Sequence, residues 1–234
     1  MNFSFNGVTK EYIEVLHGFQ RPMIAPIEHD LYESRQNGVI VRKARLAPIE
    51  LSVPVVIKHR GRSLEDVKTE LNGWLFHQEA KRLVFEDDPD RNYLARLLSI
   101  ELEEYEHFAK GAITFYLDQP YRFGAQRELE VTPTASEQTI TGQVETPWTS
   151  ETTFSNATSH FTLETSQGMR IFLHYRFISG DLLHIDYEKR KVTLNGQDLA
   201  AAISLSSHWD SLKPGAISLN ASEPTTVTYT ERYY

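Results

Sequence analysis

The sequence predicts a mainly β protein made of two β-sandwich domains, the first with one α-helix and the second a sandwich or jelly roll. Three observations carry this prediction. Apolar residues alternate with period two over short stretches, most strictly at Ile49, Leu51, Val53, Val55 and Ile57. Turn-forming clusters such as Asp118-Gln119-Pro120, Asn195-Gly196 and Lys213-Pro214-Gly215 separate those stretches. Helical spacing stands out over residues 63–76. A chain of 234 residues holds one large or two small domains, and a 40% hydrophobic share supplies cores for both.

The elements follow in chain order. Residues 49–57 read as a strand with one buried face, and Pro54 falls on the other parity. Proline cannot donate to a sheet ladder, so this strand belongs at an edge or carries a bulge. Ser63 and Asp66 form a capping-box-like helix start, with Asp where Glu or Gln is usual. Leu64, Val67, Leu71, Trp74 and Leu75 then share one helical face, with Trp74 as its packing anchor, and Gly73 weakens the last turn.

Residues 83–85 and 93–100 read as strands on either side of the acidic turn Glu86-Asp87-Asp88-Pro89-Asp90, and 109–117 as another strand. Composition then shifts to Ser and Thr over 131–166, punctuated by Pro133 and Pro147, which places the domain boundary at 126/127. Beyond it, 169–177, 182–187, 192–194, 216–220 and 225–230 read as short strands. The turn-like 188–191 makes a hairpin of 182–187 and 192–194, and Asn195-Gly196 starts the next reversal.

Composition excludes several function classes. A formal net charge of -8 disfavours phosphate backbones and anionic membrane surfaces. Without cysteine there are no disulfides, no thiolate-bound zinc and no thiol nucleophile. No run of 18 apolar residues spans a membrane, and the opening lacks the apolar core of a signal peptide. Without an export signal, Asn156-Ala157-Thr158 and Asn220-Ala221-Ser222 read as plain loop residues, not glycan acceptors.

The acidic turn is the first candidate site. As a calcium loop starting at Asp88 it fails, because Tyr93 stands where glycine is required and Ser99 where the bidentate Glu belongs. As a glycosidase pair it fails too, because neighbouring side chains in one turn diverge instead of facing across a cleft. Of the nine histidines, none forms an HExxH pair; His184, Asp186 and His208 imitate the two-His-one-carboxylate set of iron enzymes. No nucleophile elbow, phosphate loop or dinucleotide fingerprint is present, so the sequence predicts a scaffold with no catalytic, cofactor-binding or metal residue.

Three blocks then carry a resemblance: Leu71-Asn-Gly-Trp74-Leu75, Leu83-Val-Phe85-Glu-Asp-Asp-Pro89-Asp90-Arg-Asn-Tyr93, and Gly111-Ala-Ile-Thr-Phe115 with Gln119-Pro120-Tyr121. In this order they resemble the N-terminal domain of the distal tail proteins (Dit) of long-tailed phages infecting Gram-positive bacteria. Gly180-Asp181-Leu-Leu-His-Ile185-Asp186, Val192-Thr-Leu-Asn195-Gly196, Leu212-Lys-Pro-Gly215 and Thr228-Tyr-Thr-Glu-Arg232 are similar to that family's galectin-like second sandwich. The resemblance implies a structural virion protein made in the host cytoplasm and no enzyme. Its N-terminal domain, 1–126, would build a hexameric ring, the hub of the tail tip. One face of the hub would meet the tail tube protein, the other the tail-associated fibre or lysin protein. The outward domain, 127–234, would dock a receptor-binding protein.

Trp74, Phe85, Asp87, Asp88, Pro89, Asp90, Tyr93, Pro120 and Tyr121 are the family-signature positions, with a structural role. Ring contacts are expected through the Pro54 strand and through Phe3-Ser-Phe5-Asn-Gly7. Glu86, Asp87, Asp88 and Asp90 would line a DNA passage and repel the passing phosphates. The chain departs from the pattern in ending Tyr233-Tyr234 and in lacking the galectin sugar signature. The alternative function is a carbohydrate-binding module that attaches the tail to cell-wall sugar, with Trp148 or tyrosines as the stacking rings, although packing in the core or at a domain interface is the expectation for Trp148.

Overall fold

A computed structural model describes residues 1–33, 38–59 and 61–234. They form two compact units, Met1–Phe123 with the terminal Tyr234, and Gly124–Tyr233. The chain therefore passes from one to the other at 123/124, three residues before the 126/127 division read from composition.

The first unit contains β1 (Phe3–Phe5), β2 (Val8–Thr9), β3 (Ile13–Val15), β4 (Ile27–Glu33), β5 (Val39–Leu46), β6 (Ile49–Lys58), α1 (Leu64–Leu75), β7 (Lys81–Phe85), β8 (Asp88–Glu104) and β9 (Phe108–Leu117). It ends at the start of β10 (Arg122–Val131). Two antiparallel ladders share the long β8: β2-β1-β7-β8 on one side, and β3-β6-β9-β8 on the other. A register shift between Leu97 and Ser99 lets one strand serve both. Inward side chains of both ladders and of α1 form one core around Phe3, Phe5, Val53, Leu71, Trp74, Phe85 and Phe115.

β6 buries Ile49, Leu51, Val53, Val55 and Ile57, as the alternation requires. It carries no bulge against β9, and β3 covers its other side only at residues 55–57. Leu16 N–H donates to the Pro54 carbonyl at 2.9 Å, so that side of Pro54 faces away from β9. A residue's N–H and C=O point the same way in a strand, so the missing N–H faces the side where the β3 ladder has just stopped. Pro54 thus sits where an inner strand becomes an edge.

α1 buries Val67, Leu71, Trp74 and Leu75, and Leu64 packs on the same core. The expected capping box does not form. Ser63 has extended N-cap geometry but makes no side-chain cap bond. Glu65 and Asp66 still complement the helix dipole in the first turn, and Val67 N–H reaches the Ser63 carbonyl at 3.2 Å. The five-residue acidic turn is also corrected. Phe85 pairs with Asp88, so the reversal is Glu86-Asp87 alone. Pro89–Asn92 then bulge from the ladder until Tyr93 pairs with Leu83.

The second unit contains the rest of β10, then β11 (Ser136–Ile140), β12 (Trp148–Thr153), β13 (Thr158–Thr165), β14 (Arg170–Phe177), β15 (Leu182–Asp186), β16 (Lys191–Leu194), β17 (Gln197–Asp198), β18 (Gly215–Ala221) and β19 (Thr225–Tyr233), with a 3-10 turn at Ala200–Ala202. Two antiparallel sheets, β17-β16-β15-β12-β19-β10 and β11-β18-β13-β14, enclose a core that includes Trp148, Phe154, Phe161, Phe177, Ile185 and Leu219. Asn195 and Gly196, with φ of 50° and 80°, make the tight reversal between β16 and β17.

Candidate functional site

The acidic turn is a clasp. Asp87 meets Arg21 at 2.6 Å, and the Arg21 guanidinium lies 4.9 Å from the Phe85 ring centre. Glu86 accepts the Asn2 N–H at 2.6 Å and donates its own N–H to the Asn2 carbonyl at 3.1 Å. Asp88 takes Arg122 at 3.1 Å and Arg91 at 3.7 Å. The carboxylates therefore diverge to separate partners and converge on no common point. Among the described residues no group of three or more His, Cys, Asp or Glu gathers as metal ligands.

The other signature residues surround this clasp or the core behind it. Trp74 stacks on Phe3 at 5.8 Å and donates its indole N–H to the Phe5 carbonyl at 3.0 Å. Phe85 packs against Phe3, Phe19 and Tyr93. Burial raises the Tyr93 hydroxyl above its ordinary pKa. Asp90 is exposed in the Pro89–Asn92 bulge, and Pro120 and Tyr121 lie half-buried between β9 and β10. Next to α1, hydrogen bonds from Lys10 and Arg62, both at 2.6 Å, hold Glu70 at a pKa of about 2. None of this offers a cleft with a nucleophile and a base.

The feature that sequence reasoning missed is the β4–β5 pair. It forms a two-stranded sheet of its own, and nearly every residue in it is exposed. The register decides what each face carries. Ile27 pairs with Leu46, His29 with Ala44, Leu31 with Val41 and Glu33 with Val39, giving one mostly apolar face. Leu31, Val39 and Val41 are 54%, 56% and 53% exposed. The opposite face carries Glu28–Arg45 at 2.8 Å, the Asp30/Lys43 pair and, at the tip, exposed Tyr32 paired with Ile40, with Arg42 at 4.3 Å from the Tyr32 ring. Met23 and Ile24, just before β4, are exposed as well. The arm is an amphipathic ribbon with its apolar side uncovered.

In the second unit the three-residue iron set is not assembled. His184 and Asp186 share a face of β15, but Asp186 is occupied by the Lys189 N–H and ammonium, both at 2.9 Å. His208 bridges Arg170 at the edge of the other sheet. Trp148 is buried, stacks on Tyr187 at 3.5 Å and donates to the Asp210 carbonyl, so it presents no face to a sugar. Burial also pushes the Tyr187 hydroxyl up, although its bond with Ser150 opposes this.

The chain has two β units with packed cores, an exposed apolar arm and, among the described residues, no group of three or more metal-ligating side chains. Residues 8–117 match the phage tail protein RIFT-related domain, and residues 141–233 match the C-terminal domain of siphovirus-type tail components. The chain is 29% identical over 205 residues to the distal tail protein of Bacillus phage SPP1, covering 84% of this chain and 81% of that one. The crystal structure of SPP1 Dit, described as a paradigm of the hub adsorption apparatus of phages infecting Gram-positive bacteria, superposes with a TM-score of 0.88. That match covers 100% of this chain and 99% of the other at 23% identity. The chain is thus a component of the siphophage tail. It belongs to the distal tail protein family. Among the described residues no helix is long and apolar enough to cross a membrane.

Proposed function

We propose that this chain is the ring-forming hub of a phage tail tip, with a structural and not a catalytic role. Six copies would join the tail tube protein to the tail-associated fibre or lysin protein and carry a receptor-binding protein outside. The number six and these partners come from the family resemblance. The observation that supports self-association is the amphipathic β4–β5 arm. A lone two-stranded ribbon is marginal in water, and covering its apolar face stabilises both the ribbon and the contact. The arm and its seat on a neighbour are different surfaces. Such a contact is heterologous and closes into a ring when its rotation closes. A lasting contact needs more than about 1,000 Å² of buried surface, which the arm supplies only together with other surfaces of the first unit. Phe3 and Phe5 are buried in their own core, so they are poor candidates for reaching a neighbour.

Light scattering on the purified chain, alone and co-expressed with the adjacent tail protein, tests this reading. A mass of six chains in either preparation is expected, and Leu31→Asp with Val41→Asp should abolish it while the dissociated chain keeps the parent's circular dichroism spectrum and melts at a lower temperature, as the loss of the contact requires. A chain monomeric in both preparations, or a variant that still assembles, argues against it. The carbohydrate-binding alternative loses its tryptophan platform, since Trp148 is internal.

A further inference from the structure

We propose that His160 and His174 form a surface site for a late first-row divalent ion such as Cu(II), Ni(II) or Zn(II). The two residues stand directly opposite each other on β13 and β14. The hydrogen bonds two positions along fix which kind of pair this is. Thr162 N–H goes to Ser222 Oγ at 3.1 Å, and the Thr162 carbonyl takes the Ser222 N–H at 2.8 Å. Opposite it, Phe172 N–H goes to Ser207 Oγ at 3.1 Å, and the Phe172 carbonyl takes the Ser204 N–H at 2.9 Å. Both backbones therefore point away from each other at Thr162/Phe172. With a period of two they do so again at His160/His174, which makes this a non-hydrogen-bonded pair. In such pairs the Cα atoms lie about 4.5 Å apart and the side chains are at their closest.

Two imidazoles at that spacing can each place a ring nitrogen about 2.0–2.1 Å from one ion. Both histidines are exposed, so water fills the remaining positions. Ser159 Oγ lies 3.5 Å from His160 Nδ1, too long to commit that nitrogen, so both ring nitrogens of His160 stay available to an ion. The Phe172 ring stands edge-on to His174 at 4.3 Å and limits its rotation. Imidazole pairs favour copper, nickel and zinc over magnesium or calcium. With two protein ligands the ion exchanges readily, unlike one in a four-ligand structural zinc site.

The test is a Cu(II) titration of the full chain, followed by calorimetry and by the nitrogen hyperfine pattern in electron paramagnetic resonance. One equivalent with a two-nitrogen signature is expected. His160→Gln or His174→Gln should each weaken binding at least tenfold, while His208→Gln leaves it unchanged. Melting temperatures measured on the same samples confirm that these exposed substitutions keep the fold. An absence of binding overturns the proposal, and so does binding that survives both the His160 and His174 substitutions.

Discussion

Replacing Glu231 by Gln should destabilise the second unit in a pH-dependent way. Glu231 is only 5% exposed. Burial by itself would push its carboxyl up. Donors override this: Thr141 Oγ at 2.6 Å, Arg127 Nε at 2.8 Å and the Tyr233 hydroxyl at 3.0 Å hold it near a pKa of about 2, against 4.5 ordinarily. A tenfold change in an acid dissociation constant is worth ~1.4 kcal/mol, so the ionised node contributes roughly 3 kcal/mol. The folded-state value lies below the unfolded one. The contribution is therefore complete above about pH 4.5 and is lost as pH falls toward 2. The glutamine side chain keeps the shape, cannot ionise, and leaves Arg127 without its carboxylate partner. Calorimetric unfolding from pH 7 to pH 2 should show a deficit of roughly 2–3 kcal/mol at pH 7 that shrinks on acidification. Equal stability at pH 7, or a deficit of the same size at every pH, would refute the reasoning.

Gly111→Ala should destabilise the first unit by about 1–3 kcal/mol in urea unfolding, because a Cβ there overlaps the Glu101 carbonyl oxygen of the paired strand. Trp74→Phe keeps much of the packing but loses the indole bond to the Phe5 carbonyl, which Val8 across the β1–β2 turn still satisfies, so the cost in the same assay is about 0.5–1.5 kcal/mol. Asp87→Asn should cost less than about 1 kcal/mol, since the Arg21 pair is partly exposed. The combined Glu86→Gln, Asp87→Asn and Asp90→Asn chain should give the same flat calorimetric trace with calcium as the parent; measurable calcium uptake by the parent would contradict the clasp reading.

Several elements were legible because a strong local period recorded them. The 49–57 alternation became β6, and the apolar stripe of α1 is the buried stripe. Other elements were hidden by events that a linear pattern does not register. The β4–β5 arm went unread because Arg42 is an extra residue opposite Asp30 and Leu31, which shifts the parity of β5 halfway along. The apolar residues on either side of it then fail to alternate in phase, although they share one face in space. The acidic segment looked like one long turn because Pro89 and Asp90 are turn formers, yet Asp88 already pairs with Phe85.

Composition and periodicity by themselves determined that this chain is a β protein with one packing helix, no thiol chemistry and no membrane-length apolar run. Burial patterns are written locally, every second or every third to fourth residue, so a sequence can declare them. Only the tertiary structure decided that three of the four crowded carboxylates answer to different partners, that Trp148 faces inward, and that His160 lies opposite His174. Those outcomes depend on strand register, which joins residues far apart in the chain and shifts with a single bulged residue.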